Sequence, residues 1–140
     1  MASINWGRVI GGGLAAGLVM NIGQTVLNVA VLAKDSEEAM KRLNLEPTGG
    51  GAIGIFVLQT FVIGILIVWL YAAMRPRYGA GPKTAVLAGL AVWFLSRLVP
   101  SVGYGAMGMF PVGLLFIAGV WGLIEVILAA LVGGWLYKEA

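Results

Sequence analysis

With 140 residues, 60% of them hydrophobic and 11% charged, the chain has room for one compact unit and too few charges to cover a surface in water, where about a quarter of residues are charged. Cysteine and histidine are both absent, which excludes disulfides, thiolate chemistry, zinc sites built on those residues and the usual haem ligation, so no cofactor or metal is expected. The net charge of +3 comes from scattered cations, so lipid is the expected partner and nucleic acid is not.

Crossing a hydrocarbon core roughly 30 Å thick takes about 20 mostly apolar residues. Residues 1–140 read as a single membrane domain with four such stretches, at about 9–33, 52–74, 84–100 and 112–137. The runs are long and show no alternation of period two, which indicates helices rather than barrel strands. The expected fold is all-α: an integral membrane four-helix bundle with a short amphipathic outer helix in the first loop.

The first span is expected to be retained rather than cleaved as a signal peptide, because its apolar region is too long and is interrupted by Asn21, Gln24 and Asn28. Those amides continue a stripe that begins with Gly13 and Gly17, spaced by four, four, three and four residues. On a helix all five lie within about 80° of arc. Small residues let helix backbones approach, and amides hydrogen-bond between helices where lipid offers no partner.

In the first loop, Asp35 and Ser36 suit a helix start, and Glu37 with Lys41 and Glu38 with Arg42 are spaced for ion pairs one turn apart. A helix over residues 36–43 is predicted, with Met40 and Leu43 turned to the bundle or lipid and Pro47 and Gly49 to Gly51 ending it. The second span carries Gln59 and Thr60. A basic turn over residues 75–83 follows, and the third span brings Ser96 and Arg97 before ending at Pro100. Residues 101–111 contain no charge and are expected to dip into the interface or pack on a partner.

The fourth span repeats the pattern of the first, with Ala118, Gly122, Glu125, Ala129 and Gly133 on one narrow stripe. In an antiparallel pair, Ala129 and Gly133 match the depth of Gly13 and Gly17, and Glu125 matches that of Asn21 and Gln24. These stripes are therefore predicted to face each other. Glu125 and Arg97 are the formal charges inside the spans. A mid-membrane carboxylate left ionised and alone is expensive and marks a functional site by default, so Glu125 is expected to be protonated or paired, with Arg97 the cation near enough to serve. An axial offset of roughly 5–8 Å, from about 1.5 Å rise per residue, would require both side chains to extend.

Orientation follows from charge. Arg8, Arg75, Arg77, Lys83 and Lys138 fall on the face with both termini, against Glu139, and the other face carries Lys34, Lys41 and Arg42 with four acids. The positive-inside rule places both termini in the cytoplasm, and Trp6, Trp69, Tyr71, Trp135 and Tyr137 are expected to form an interfacial belt there.

Asn5-Trp6 near the start, the segment Ala39-Met40-Lys41-Arg42-Leu43 after the first span, and the run Ala88-Gly89-Leu90-Ala91-Val92-Trp93-Phe94 in the third make the chain resemble a family of small four-span bacterial membrane proteins of unknown function. That resemblance implies a fold and a bacterial inner membrane, and no activity. With no histidine, cysteine or paired acids at an interface, an enzyme is not expected. The expected function is a non-catalytic accessory or scaffold subunit packed within a larger membrane complex. The alternative is a small oligomeric transporter or channel in which Glu125, Arg97 and the stripe Asn21, Gln24, Asn28, with Gln59 nearby, line the path. Other membrane subunits or further copies of the chain are the partners implied.

Overall fold

The structure, a computed structural model, describes residues 3–138. Helix α1 (Trp6–Val26) starts at Asn5, whose side chain accepts a hydrogen bond from the Arg8 amide at 3.2 Å. It runs into a π-helical turn, Leu27–Val31, and a bend at Leu32 leads to α2, Ala33–Arg42. Helix α2 begins earlier than predicted, without a side-chain cap; Asp35 lies in its first turn and Lys41 and Arg42 in its last, which suits the helix dipole. Glu37 and Lys41 pair at 3.0 Å, whereas Arg42 donates to the carbonyls of Met109 (3.0 Å) and Gly108 (3.4 Å). Ala39 is buried, and Met40 and Leu43 are half-buried.

Helix α3 (Gly50–Tyr78) extends past the expected end, with Pro76 in its last turns. A proline there forfeits a single bond to the preceding turn, and the helix stops instead at Gly79, with φ 85°, whose N–H bonds the Arg75 carbonyl at 2.8 Å. The basic turn therefore shrinks to residues 79–81.

Helix α4 (Pro82–Trp93) passes through a second π-helical turn, Phe94–Leu98, into α5, Val99–Ala106. Pro100 does not end the third span, contrary to the sequence expectation. The Val99 N–H reaches back to Phe94, and the widened turn makes room for the proline ring, which in a regular helix would clash with the carbonyl four residues earlier. Helix α6 (Val112–Leu136) follows Pro111. The expected loop over residues 101–111 is thus helical as far as Ala106, and Tyr104 and Phe110 meet edge to face at 6.0 Å.

The described residues are helical without strands, and four helical stretches are long and apolar enough to cross a bilayer: Trp6–Val31, Gly50–Tyr78, Pro82–Ala106 and Val112–Leu136. The chain is an integral membrane protein with four spans. Neighbours in sequence are neighbours in space: α1 packs on α3, α3 on α4, α4 on α6 and α6 back on α1, with a diagonal contact between α3 and α6.

We call the half of the bundle that carries the chain ends the terminal half, and the half beside α2 the distal half. The main buried cluster lies in the terminal half: Val9, Ala16 and Met20 on α1, Ile67, Val68, Tyr71 and Ala72 on α3, Ala85 and Ala88 on α4, and Val126, Ala129 and Ala130 on α6. Tyr71 and Tyr137, expected in the interfacial belt, are buried instead, with rings edge to face at 6.1 Å. Each hydroxyl accepts a backbone N–H, from Gly81 and Asn5 respectively, both at 3.1 Å, and Arg75 stacks against both rings. This clasp ties the start of the chain, the α3–α4 turn and the end of α6 together. Trp6, Trp69 and Trp135 remain exposed around it.

Candidate functional site

The amides of the spans, with Thr60, Ser96 and Arg97, collect in the distal half. There, residues 53–59 of α3 are all exposed, whereas from Thr60 onward the helix is packed against its neighbours. The separation of α1 from α3 leaves an open cavity of about 1100 Å³, bordered by both helices, by α2 and by the π-helical turn of the third span. Its polar border includes Asn21, Gln24 and Asn28 of the first span, Gln59 and Thr60 of α3, and Ser96 and Arg97. Both π-helical turns border it, through Asn28 and Val29 and through Ser96 and Arg97. Such turns re-aim side chains that a regular helix would point elsewhere.

Glu125 of α6 lies beneath this cavity, 4% exposed. Gln24 Nε2 donates to both of its carboxyl oxygens at 3.1 Å. Arg97 Nη2 lies 3.8 Å from Oε1, so the two span charges form the pair expected of them, at the long end of ion-pair distance. Room for the carboxylate comes from Gly23: a Cβ there would stand 2.6 Å from Oε2. Two tryptophans brace the arrangement, Trp121 Nε1 donating to the Gly23 carbonyl and Trp93 Nε1 to that of Gly119, each at 3.0 Å. Gly122 lies under the Arg97 stem and beside Trp93.

The other stripe residues are placed differently from the sequence expectation. Gly13 and Gly17 do not meet Ala129 and Gly133; they lie against Ile65 and Phe61 of α3, where Gly64 brings the two backbones together. The α1 residues opposite Gly133 are Gly12 and Ala16. These belong to a second stripe (Gly12, Ala16, Met20, Gly23, Leu27) with the same spacing, turned by about 100°. Helix α1 therefore packs on two faces, the first stripe against α3 and the cavity and the second against α6. The depth match predicted for Glu125 with Gln24 is present, and the register of the glycines is one residue off. Ala129 is buried, and Ala118 is half-exposed farther along α6.

Of the three amides, Gln24 alone bonds to another helix. Asn28 Nδ2 donates to the Gln24 carbonyl of its own helix at 2.8 Å, and Asn21 Nδ2 is shielded from solvent without an acceptor. Gln59 is exposed on the cavity wall, and the Thr60 hydroxyl bonds back to Phe56 at 2.8 Å. Gly23, Trp93 and Trp121 were missed by sequence reasoning. The signal for Gly23 was its place on the second α1 stripe; tryptophans that bond to backbone carbonyls of neighbouring helices carry no spacing signature. Comparison with protein-family models, with curated proteins and with solved structures gives no match.

Proposed function

We propose that the chain is a small membrane transport unit that binds its solute in the distal cavity, over the Glu125–Arg97 pair, and that it acts without catalysis. One observation carries this reading: Arg97 and the amides Asn21, Gln24, Asn28 and Gln59 border a single open cavity, with Glu125 beneath it. A bundle whose polar groups served cohesion alone would bury them between helices, as Gln24 and Glu125 are, and would leave no room beside them. The closed terminal half makes one copy a binding cup, so passage requires either that this half opens or that a second copy completes the path.

Purified protein in vesicles tests the proposal. Flux of protons, ions or small organic anions above that of empty vesicles is expected, reduced at least tenfold by Glu125→Gln or Arg97→Gln while both variants elute as wild type. Vesicles that conduct nothing, together with co-migration of the chain with a larger complex in mild detergent, would return it to the accessory-subunit reading. That second reading draws on the exposed distal stretch of α3, from Ile53 to Gln59, where a helix of another chain could pack.

The proposal also places both termini in the cytoplasm of a bacterial inner membrane, supported by Arg8, Arg75, Arg77, Lys83 and Lys138 at the terminal end and by the family resemblance. The native chain lacks cysteine, so single replacements report cleanly. An impermeant maleimide should label Ser36→Cys in intact cells and Ala80→Cys only after permeabilisation; the reverse pattern inverts the topology.

A further inference from the structure

The cavity's chemistry narrows what it would hold. Arg97 presents a planar fork of N–H donors, yet among the described residues its polar contact is the 3.8 Å approach to Glu125, beyond hydrogen-bond reach. The Glu125 oxygens are already occupied by Gln24. The Arg97 side chain is 28% exposed, and it borders the cavity. Two more groups on cavity-lining residues lack partners among the described residues, Asn21 Nδ2 and the Ser96 hydroxyl, but both are shielded from solvent and so from the cavity as well. Buried donors without acceptors are uncommon and costly. Arg97 is therefore the donor that the cavity itself presents.

Size and walls supply the rest. A cavity of about 1100 Å³ exceeds by far what a small inorganic anion fills, given a liquid-water volume of roughly 30 Å³ per molecule, and lies at the upper end of ligand sites. Beyond the polar floor its walls are Val29 of α1 and Ile53, Phe56 and Val57 of α3, on the helix stretch exposed to the bilayer. The charges at the rim, Glu37 and Lys41, neutralise each other at 3.0 Å.

Building on the transport reading, we infer that the cavity binds an anionic amphipath, with a carboxylate or phosphate head on Arg97 and a hydrocarbon chain along Phe56 and Val57. The head gives the guanidinium the close acceptor it lacks, and the chain lies where α3 is open to lipid.

Protein in neutral phosphatidylcholine nanodiscs, titrated with oleate, hexadecyl phosphate, oleyl alcohol and inorganic phosphate, tests this through its tryptophan fluorescence, since Trp93 and Trp121 border the pair. Saturable binding of both amphipathic anions is expected. Inorganic phosphate and oleyl alcohol should bind roughly ten- to a hundredfold more weakly, the range of one lost charge-assisted contact. Arg97→Gln should lose the same factor, and Arg97→Lys should restore part of it. Should Arg97→Gln fail to fold, Val57→Trp provides an independent arm: it fills the wall without touching the head site, so weaker binding of hexadecyl phosphate with unchanged weak binding of inorganic phosphate supports the inference. Inorganic phosphate binding as tightly as hexadecyl phosphate overturns the lipid source in favour of a free anion. Oleyl alcohol binding as tightly as oleate, insensitive to Arg97, overturns the anionic head but leaves cavity binding intact. Failure of all four probes to bind overturns the inference, and the transport reading then stands or falls on the vesicle flux alone.

Discussion

The two halves of the bundle are built on opposite rules. In the terminal half the helices touch through glycine and alanine, the buried core is continuous, and a tyrosine clasp joins three chain segments. In the distal half α3 stands away from α1, the first and third spans carry π-helical turns beside the gap, and the polar residues border open space. The same four helices pass through both halves, so the difference cannot lie in helix formation. It lies in which side chains meet. Where Gly64 faces Gly13 and Gly17, backbones come together and dispersion contacts between the helices accumulate. Beyond Thr60 the α3 residues that would face α1 are Phe56, Val57 and Ile53, opposite amides that bury poorly beside them. A tight half holding a fixed frame and a loose half holding a cavity is the division of labour that a binding unit needs.

The sharpest way to break this comparison is one substitution made twice on the same helix. At Gly64 an added Cβ would collide with backbone atoms of Gly13 and Gly17, whereas at Gly54 it would meet nothing within 4 Å. Gly64→Ala should destabilise by about 1–3 kcal/mol through overpacking. Gly54→Ala should instead stabilise by about 0.5–1 kcal/mol, the helix-propensity gain alone. Unfolding in mixed micelles measures both. Equal effects at the two sites would mean that the halves do not differ in packing.

How much of this could be read from the chain beforehand depends on the residue. The four spans follow from apolar run length, and the amphipathic outer helix was visible in the charge spacing of Glu37 and Lys41. Glu125 beside Gln24 followed from matching depths on antiparallel helices. The α1 register could not be read the same way. Two stripes of equal spacing lie side by side, the amides draw attention to one of them alone, and it is Gly64 on a different helix that claims Gly13 and Gly17. The π-helical turns were equally hidden, because the extra residue that lets the chain pass Pro100 has no local signature. The cavity is an absence of contact, and nothing in a single sequence encodes that directly.

Glu125 allows the next test, because it stands where the two halves meet. Glu125→Gln keeps groups able to bond Gln24 and should cost about 1 kcal/mol or less. Glu125→Leu leaves the Gln24 amide and Arg97 without an acceptor and should cost about 2 kcal/mol, below the 3–5 kcal/mol of a fully buried broken pair, since Arg97 can still reach the cavity. A leucine variant as stable as wild type would show that the pair contributes nothing to the fold, which would strengthen its assignment to function.

In the terminal half, Tyr137→Phe removes the hydroxyl that accepts the Asn5 N–H while keeping the ring against Tyr71 and Arg75. The expected loss is about 1 kcal/mol, accompanied by faster amide exchange at Asn5. No change in exchange there would mean that the start of α1 is held by packing rather than by the clasp.

The smallest effect belongs to the rim, and it separates two cations of α2 only one residue apart. Lys41 pairs with Glu37 at 3.0 Å, but both side chains are largely exposed, at 73% and 66%. Such a pair one helical turn apart contributes about 0.3–0.5 kcal/mol, and salt screens it. Arg42 instead donates to the carbonyls of Gly108 and Met109, across the distal end to the segment that precedes α6. These bonds close no helix of their own; they hold α2 against a loop that the sequence leaves without charge. Lys41→Ala should therefore leave both stability and the cavity unchanged within measurement. Arg42→Ala should cost little more in stability, about 1 kcal/mol, yet it should free α2 to move, visible as faster amide exchange across residues 33–43 and as altered probe binding in the cavity that α2 borders. If Lys41→Ala mobilises α2 as much as Arg42→Ala does, the distal end is held by diffuse charge rather than by this link, and its looseness extends farther than the gap between α1 and α3.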